Sequence, residues 1–190
     1  QMCKETAITT DESVTYQKDG TAINITYTTP DDSDYSVEAV AAGRNAVEDG
    51  LYSVEDNVIT LSGDLKPGSY TVTFSDDKYA SKKLSTLVES GLEEGSVSIE
   101  NNAVVIADNE KGLTGADYAA KVTSVIVNGE PVKAKGIAGI LFNEDGSINL
   151  DAEIEGQDGN VKVFDGSDSY EIELEATGYP AVKGIVTAQK

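Results

Sequence analysis

The side chains with chemical potential in this sequence are carboxylates. Asp and Glu number 34 against 14 Lys and Arg, and histidine is absent. The acids crowd short stretches: Asp31, Asp32 and Asp34; Asp76 and Asp77; Glu93 and Glu94; Asp108 to Glu110; and Asp165 to Asp168. Two chemistries could use them. A carboxylate pair flanking a sugar can act as acid and nucleophile. Loop oxygens can also gather around calcium, with Asp165-Gly166-Ser167-Asp168 and Asp31-Asp32-Ser33-Asp34 as the best candidates. Neither is the expected reading. A glycosidase wants a cleft with aromatic walls, and this chain has no tryptophan and 3 phenylalanines that read as core. No stretch fits a 12-residue calcium loop; Asp145-Gly146-Ser147 lacks the later bidentate Glu. Turns hold Asp for backbone reasons alone.

Other chemistries lack their residues. Without histidine there is no Ser-His or Cys-His nucleophile pair and no imidazole metal ligand. Cys3 is the single cysteine, so no intrachain disulfide can form, and it is expected as an incidental thiol rather than the remnant of a lipid-modified cysteine. Lys135-Gly136 lacks the strand-loop-helix context of a phosphate loop. The expectation is no catalytic residues, no cofactor, no metal and no enzyme.

The elements that would position any site are strands, and one of them is written twice. Ser69 to Lys83 reads SYTVTFSDDKYASKK, and Ser169 to Lys183 reads SYEIELEATGYPAVK. In each, a Ser-Tyr pair opens a strict alternation. Tyr70, Val72 and Phe74 oppose Thr71, Thr73 and Ser75; Tyr170, Ile172 and Leu174 oppose Glu171, Glu173 and Glu175. A second tyrosine follows in both, Tyr79 and Tyr179. Upstream, LYSVEDNVITL from Leu51 matches LFNEDGSINL from Leu141, and Ser36-Val37 precedes Gly43 as Ser124-Val125 precedes Gly129. Two long repeats predict two domains, 1–90 and 91–190, divided in the SGLEEG stretch from Glu89 to Gly95.

Within the first copy, Gln1 to Glu12 reads as loose. Ser13 to Gln17 and Thr21 to Thr28 read as a hairpin turning at Lys18-Asp19-Gly20. Tyr35 to Ala42, Leu51 to Val54, Asn57 to Ser62, the Tyr70 strand and Lys83 to Glu89 complete seven strands, which fits an immunoglobulin-like sandwich. Pro67-Gly68-Ser69-Tyr70 resembles the tyrosine corner of such domains.

The second copy begins with a hairpin, Ser96 to Ile99 and Ala103 to Ile106, turning at Asn101-Asn102. A short helix capped by Thr114 is expected near Ala116 to Lys121. Strands follow at Val122 to Val127, Pro131 to Ala134, Gly139 to Phe142, Ser147 to Ala152, Asn160 to Phe164, Tyr170 to Glu175 and Val182 to Ala188. The stretch between Leu150 and Ser169 is longer than its counterpart and predicts an added hairpin, Glu153 to Phe164, turning at Asp158-Gly159. Gly178 is expected at positive φ, with the Tyr179 ring folded over the sandwich end. The fold class is therefore all-β, two tandem immunoglobulin-like β-sandwich domains.

The formal net charge of −20 repels phosphates and anionic lipid heads, so nucleic acid and membrane are disfavoured partners. No apolar run approaches the ~20 residues of a membrane span. A chain opening at Gln1 without an apolar leader is expected for a mature or trimmed fragment.

From Lys121 onward the pattern acquires a family character. VTSVIVNGEPV, SINLDAEI and SYEIELEATGYPAVKGIVT, with Val127-Asn128-Gly129 and Glu175-Ala176-Thr177-Gly178-Tyr179 as marks, resemble the Shr-like haemoglobin-interacting domain family. The likeness covers Ala116 to Thr187. The first copy has Asp76-Asp77-Lys78-Tyr79 where Ala-Thr-Gly-Tyr would stand. The resemblance implies an immunoglobulin-like surface module of Gram-positive bacteria, extracellular or wall-associated. The expected function is a non-catalytic binding, adhesion or spacer module with a macromolecular partner, and the alternative is a haemoglobin- or glycan-binding receptor domain. Haem itself would need an axial ligand, and histidine is missing.

Overall fold

The computed structural model describes residues 7–17, 23–62, 65–107 and 109–188. Among the described residues the fold is all-β apart from two short helices and a 3-10 turn. The chain divides into two compact units, Gln1–Ser90 and Gly91–Lys190.

The N-terminal unit contains β1 (Thr9–Thr10), β2 (Ser13–Thr15), β3 (Ile23–Thr28), β4 (Ser36–Ala42), β5 (Asn45–Ala46), a 3-10 turn (Asp49–Leu51), β6 (Tyr52–Glu55), β7 (Val58–Leu61), β8 (Gly68–Ser75) and β9 (Lys82–Glu89). They form two sheets, in the orders β1-β3-β7-β6 and β2-β9-β8-β4-β5. Period two decides which residues meet between them. Ile23, Ile25 and Tyr27 of β3 alternate with exposed neighbours, and Tyr70, Val72 and Phe74 of β8 alternate with half-buried ones. Ile25, Val40, Ile59, Leu61, Val72 and Phe74 are wholly buried. Each such side chain contributes about 1.5–3 kcal/mol of transfer free energy, and together they specify which sheet faces turn inward. The β6–β7 hairpin turns through Asp56 and Asn57, both at positive φ (49° and 62°), as its right-handed twist requires.

Two sequence expectations fail in this unit. Gln1 to Glu12 is not wholly loose, because Ile8 is buried and Thr9–Thr10 pairs with β3. The hairpin of Ser13 to Gln17 with Thr21 to Thr28 does not exist. β2 instead runs parallel to β9, with Ser13 opposite Leu87 and Thr15 opposite Glu89, whereas β3 belongs to the other sheet. The chain changes sheets at Asp11-Glu12. The Asp11 N–H donates to Thr26 O on one side (3.1 Å), and Glu12 O accepts from Leu87 N on the other (3.1 Å). The buried Thr86 hydroxyl donates to Asp11 O (3.0 Å) at the crossing. Splitting one segment between two sheets satisfies backbone groups on two edges, which a local hairpin would leave open. The proposed turn at Lys18-Asp19-Gly20 lies outside the described residues.

The C-terminal unit contains β10 (Val97–Glu100), β11 (Ala103–Ile106), α1 (Gly115–Ala119), β12 (Val122–Val127), β13 (Glu130–Pro131), α2 (Ile137–Leu141), β14 (Glu153–Gly156), β15 (Gly159–Lys162), β16 (Ser169–Ala176) and β17 (Val182–Thr187). The main sheet runs β13-β12-β16-β17, with β10-β11 and β14-β15 as separate ribbons. Its core gathers Tyr118, Val125, Leu141, Ile172, Leu174 and Val186. The β10–β11 turn at Asn101-Asn102 has both residues at positive φ, as expected. The Asn102 side chain then bonds both backbone groups of Thr187, accepting from its N–H (2.8 Å) and donating to its carbonyl (2.7 Å). Helix α1 forms where expected, closed by a capping box: the Thr114 hydroxyl accepts from Asp117 N (3.2 Å) and the Asp117 carboxylate accepts from Thr114 N (2.9 Å).

Three strand expectations fail here. Gly139 to Phe142 is not a strand, since residues Ile137–Leu141 form α2, with Ile137 and Leu141 buried one turn apart. Ser147 to Ala152 makes only isolated bridges, Ala103 with Ser147 and Phe142 with Ile148. Pro131 to Ala134 shrinks to the Glu130–Pro131 rung. The stretch that matches the β6–β7 hairpin in letters therefore differs in conformation. Its glycine explains part of this. Gly146 (φ 85°) lies against the backbone of α1, where an added Cβ would come within 2.7 Å of Ala116 N. The Asp145 carboxylate accepts from Ser147 N (2.9 Å) and from the Ser147 hydroxyl (2.5 Å), closing a tight loop instead of a strand. The added hairpin exists as β14–β15, but Gly156 pairs with Gly159, so it turns one residue earlier, at Gln157-Asp158.

Candidate functional site

In both units a Ser-Tyr pair opens a strand interior to its sheet, β8 and β16. Tyr70 is buried in β8 and its hydroxyl donates to Lys66 O (2.5 Å), four residues back, which is the geometry of a tyrosine corner. Burial, with the nearby Tyr16, pushes its hydroxyl up to about 12. Tyr170 of β16 is buried too, edge-on to Phe164 with ring centres 5.1 Å apart. Its hydroxyl accepts from Ser167 N (3.0 Å), so the bond runs in the opposite direction. That hydrogen bond fixes the 165–168 turn.

The turns after these strands diverge. In the C-terminal unit Gly178 takes φ 82°, and the Tyr179 ring meets Tyr118 edge-on at 5.3 Å. Tyr118 is wholly buried and its hydroxyl donates to Pro180 O (3.0 Å) and Leu174 O (3.3 Å), tying α1 to the turn. Burial, helped by the Glu175 charge, raises its pKa well above the ordinary tyrosine value. The Tyr179 ring is thus a packing residue, as its glycine partner implied.

No α-helix lies among the described residues of the N-terminal unit, and Tyr79 is 52% exposed. It stacks on Tyr35, with ring centres 6.2 Å apart and planes 22° from parallel. Asp76 organises the turn. Its carboxylate accepts from Lys78 N (2.7 Å) and Tyr79 N (3.1 Å) on its own loop, and from Asp34 N (2.6 Å) on the β3–β4 loop. The Lys78 N–H above all, with those of Asp34 and Tyr79, holds the Asp76 carboxyl below its usual range. The part played by Tyr35 was not legible in sequence, because its partner lies 44 positions away.

The acidic stretches do not assemble a cation cage. Among the described residues, no three of Asp, Glu, Cys or His gather around a common point. Asp31, Asp32 and Asp34 sit exposed on one loop, and Asp165 and Asp168 sit exposed on another. The β16 face carries Glu171 and Glu173, bridged by Lys183 of β17 at 3.1 and 3.7 Å. The Glu171 hydrogen bond raises the Lys183 pKa. Ile185, across from Glu171, is 55% exposed. A shallow cleft of about 280 Å³ lies beside the β14–β15 ribbon, with Val127, Pro131, Ile154, Lys162, Asp165 and Tyr170 among its walls. That is below the usual ~300–1,000 Å³ of small-molecule sites. No helix among the described residues is long and apolar enough to cross a membrane.

Comparison with known proteins bears on this arrangement. Residues 94–187 match the family model described as "Heme-binding protein Shr-like, Hb-interacting domain", a domain described by an interaction and not by a reaction. No curated protein matches the sequence. Among solved structures, the chain is similar to a tri-modular GH5 endo-β-1,4-glucanase from Bacillus licheniformis (14% identity, TM-score 0.30), covering 93% of this chain and 38% of that one. It is also similar to the SGBP-B protein of the Bacteroides ovatus mixed-linkage glucan utilization locus (18% identity, TM-score 0.31), covering 89% of this chain and 41% of that one. A third likeness is to the fibronectin(III)-like modules of Clostridium thermocellum CbhA (12% identity, TM-score 0.30, covering 93% and 92%). The chain thus spans less than half the length of the first two.

Proposed function

We propose, on the premise that the C-terminal unit belongs to the Shr-like haemoglobin-interacting domain family, that this protein is a non-catalytic binding module whose partner is another protein. The match over residues 94–187 carries the reading. The chemistry of the chain supports it. There is no histidine for acid-base or nucleophilic work, and the exposed acids are spread over turns and several strands. Flat surfaces and loops of this kind suit a macromolecular partner better than a small molecule. The family also supports display at a cell surface or secretion, where a module with adhesion or receptor duties meets its partner.

Haemoglobin is the partner the family names. A chain of net charge −20 would approach its basic patches by long-range attraction, so binding should weaken steeply as salt screens the field. The test is the full chain titrated over immobilised haemoglobin at low and at physiological ionic strength. Saturable binding that weakens with salt is expected. No saturable binding up to tens of micromolar, roughly the range of weak transient pairs, would remove haemoglobin and leave a spacer or adhesion role with another partner.

A further inference from the structure

The N-terminal unit lies outside the family match, and its strand-end loops have a surface with no packing duty. Tyr79 and Tyr179 occupy the same place in the repeat. Tyr179 packs against Tyr118 of α1, whereas no α-helix lies among the described residues of the N-terminal unit and Tyr79 is half exposed. An aromatic ring half out of water is anchored all the same. Tyr35 lies beneath it at 6.2 Å, and the Tyr35 hydroxyl donates to Ala80 O (2.9 Å). The two loops are tied together by Asp34 N to Asp76 (2.6 Å) and stiffened within by Asp76 and by Ser33, whose N–H (3.1 Å) and hydroxyl (2.7 Å) both donate to Pro30 O. The rings are therefore held before any partner arrives, which lowers the ordering entropy of association.

We propose that the Tyr35–Tyr79 end of the N-terminal unit is a docking surface for an arginine-bearing segment of a partner protein. Charge selects the partner. Residues 29–35 and 76–83 hold five aspartates against three lysines, two of them, Lys82 and Lys83, at the start of β9. Asp76 is engaged by backbone N–H groups, while Asp31, Asp32 and Asp77 project as exposed carboxylates. Anionic partners are repelled there. A guanidinium is flat, weakly hydrated and stacks on an aromatic face while its edge donates to a carboxylate; an ammonium offers no such plane. Tyrosine and arginine are both enriched among the residues that carry most of the binding energy at protein interfaces.

The test is an amide NMR titration of the full ¹⁵N-labelled chain with a short glycine–arginine peptide and its lysine counterpart at low ionic strength. Saturating shifts confined to residues 31–35 and 76–81 are expected, with arginine bound more tightly than lysine. Tyr79→Ala should weaken arginine-peptide binding roughly two- to fivefold, the effect of losing an exposed cation–π contact. Tyr79→Phe, which keeps the ring, should bind as the parent does. Tyr79 is half-exposed, so the spectrum away from these loops should be unchanged in both variants. Shifts spread over the acidic surface, including the Glu171–Glu173 face, would overturn the proposal. So would equal affinity for arginine and lysine peptides, or a Tyr79→Ala variant that binds like the parent.

Discussion

Tyr118 ties α1 to β16 and to the Tyr179 turn, and removing it in two steps separates its contributions. Tyr118→Phe deletes the hydroxyl. The hydroxyl proton shared between Pro180 O (3.0 Å) and Leu174 O (3.3 Å) is then lost, and the Leu174 carbonyl is left in a buried site. One lost buried hydrogen bond costs about 1–2 kcal/mol. Tyr118→Ala also deletes a wholly buried ring and the edge-to-face pair with Tyr179 at 5.3 Å. A large-to-small core change of this kind costs about 3–5 kcal/mol, and the aromatic pair adds about 0.5–1.5 kcal/mol. In a unit of this size about 1 kcal/mol moves the midpoint by roughly 4–8 °C, so the alanine variant should lose tens of degrees or fail to fold that unit. We propose that the units unfold separately, since each has its own core. Urea titration of the full chain, followed through amide signals of Val72 and Leu174, reads both transitions at once. The Leu174 transition should move while the Val72 transition stays. An alanine variant that loses under about 1 kcal/mol would refute the packing argument, and a shift shared equally by both signals would refute separate unfolding.

Two further outcomes follow from named contacts. Gly115→Ala should destabilise the C-terminal unit by at least the ~1–3 kcal/mol of ordinary overpacking, because the new Cβ would lie 1.8 Å from Val104 O and β11 backbone must move; a thermal midpoint equal to the parent's would contradict this. Tyr70 and Tyr118 both have pKa values raised by burial, so above about pH 10 the unfolded chain releases protons that the folded chain keeps. Their stabilisation is complete below that pH. For Tyr70 it is lost as pH climbs through about 12. Urea midpoints should fall between about pH 8 and about pH 11, and Tyr118→Phe should blunt the fall in the C-terminal unit alone.

Local signals carried much of the architecture. The alternation in β8 and β16 reported burial directly, since a strand with one dry face must repeat every second residue. Asn101-Asn102 marked a turn, and Thr114 marked a helix start as a residue able to cap it; that Asp117 closes the capping box came only with the structure. Gly178 before Tyr179 foretold a ring folded inward. What lay beyond reach were choices between distant partners. β2 could have closed on β3, and its preference for β9 depends on an open edge that exists only once both sheets are assembled. Ile137 to Leu141 carries a short apolar run that either a helix or a strand can bury, and packing in the core settled it as α2. The two copies of one tyrosine came to opposite fates for the same reason. Tyr179 is packed edge-on by Tyr118 of α1, whereas Tyr79 stacks on Tyr35 and stays half exposed. A strand's period is written in adjacent residues, but the cover over a side chain is supplied by whatever the rest of the chain brings back to it.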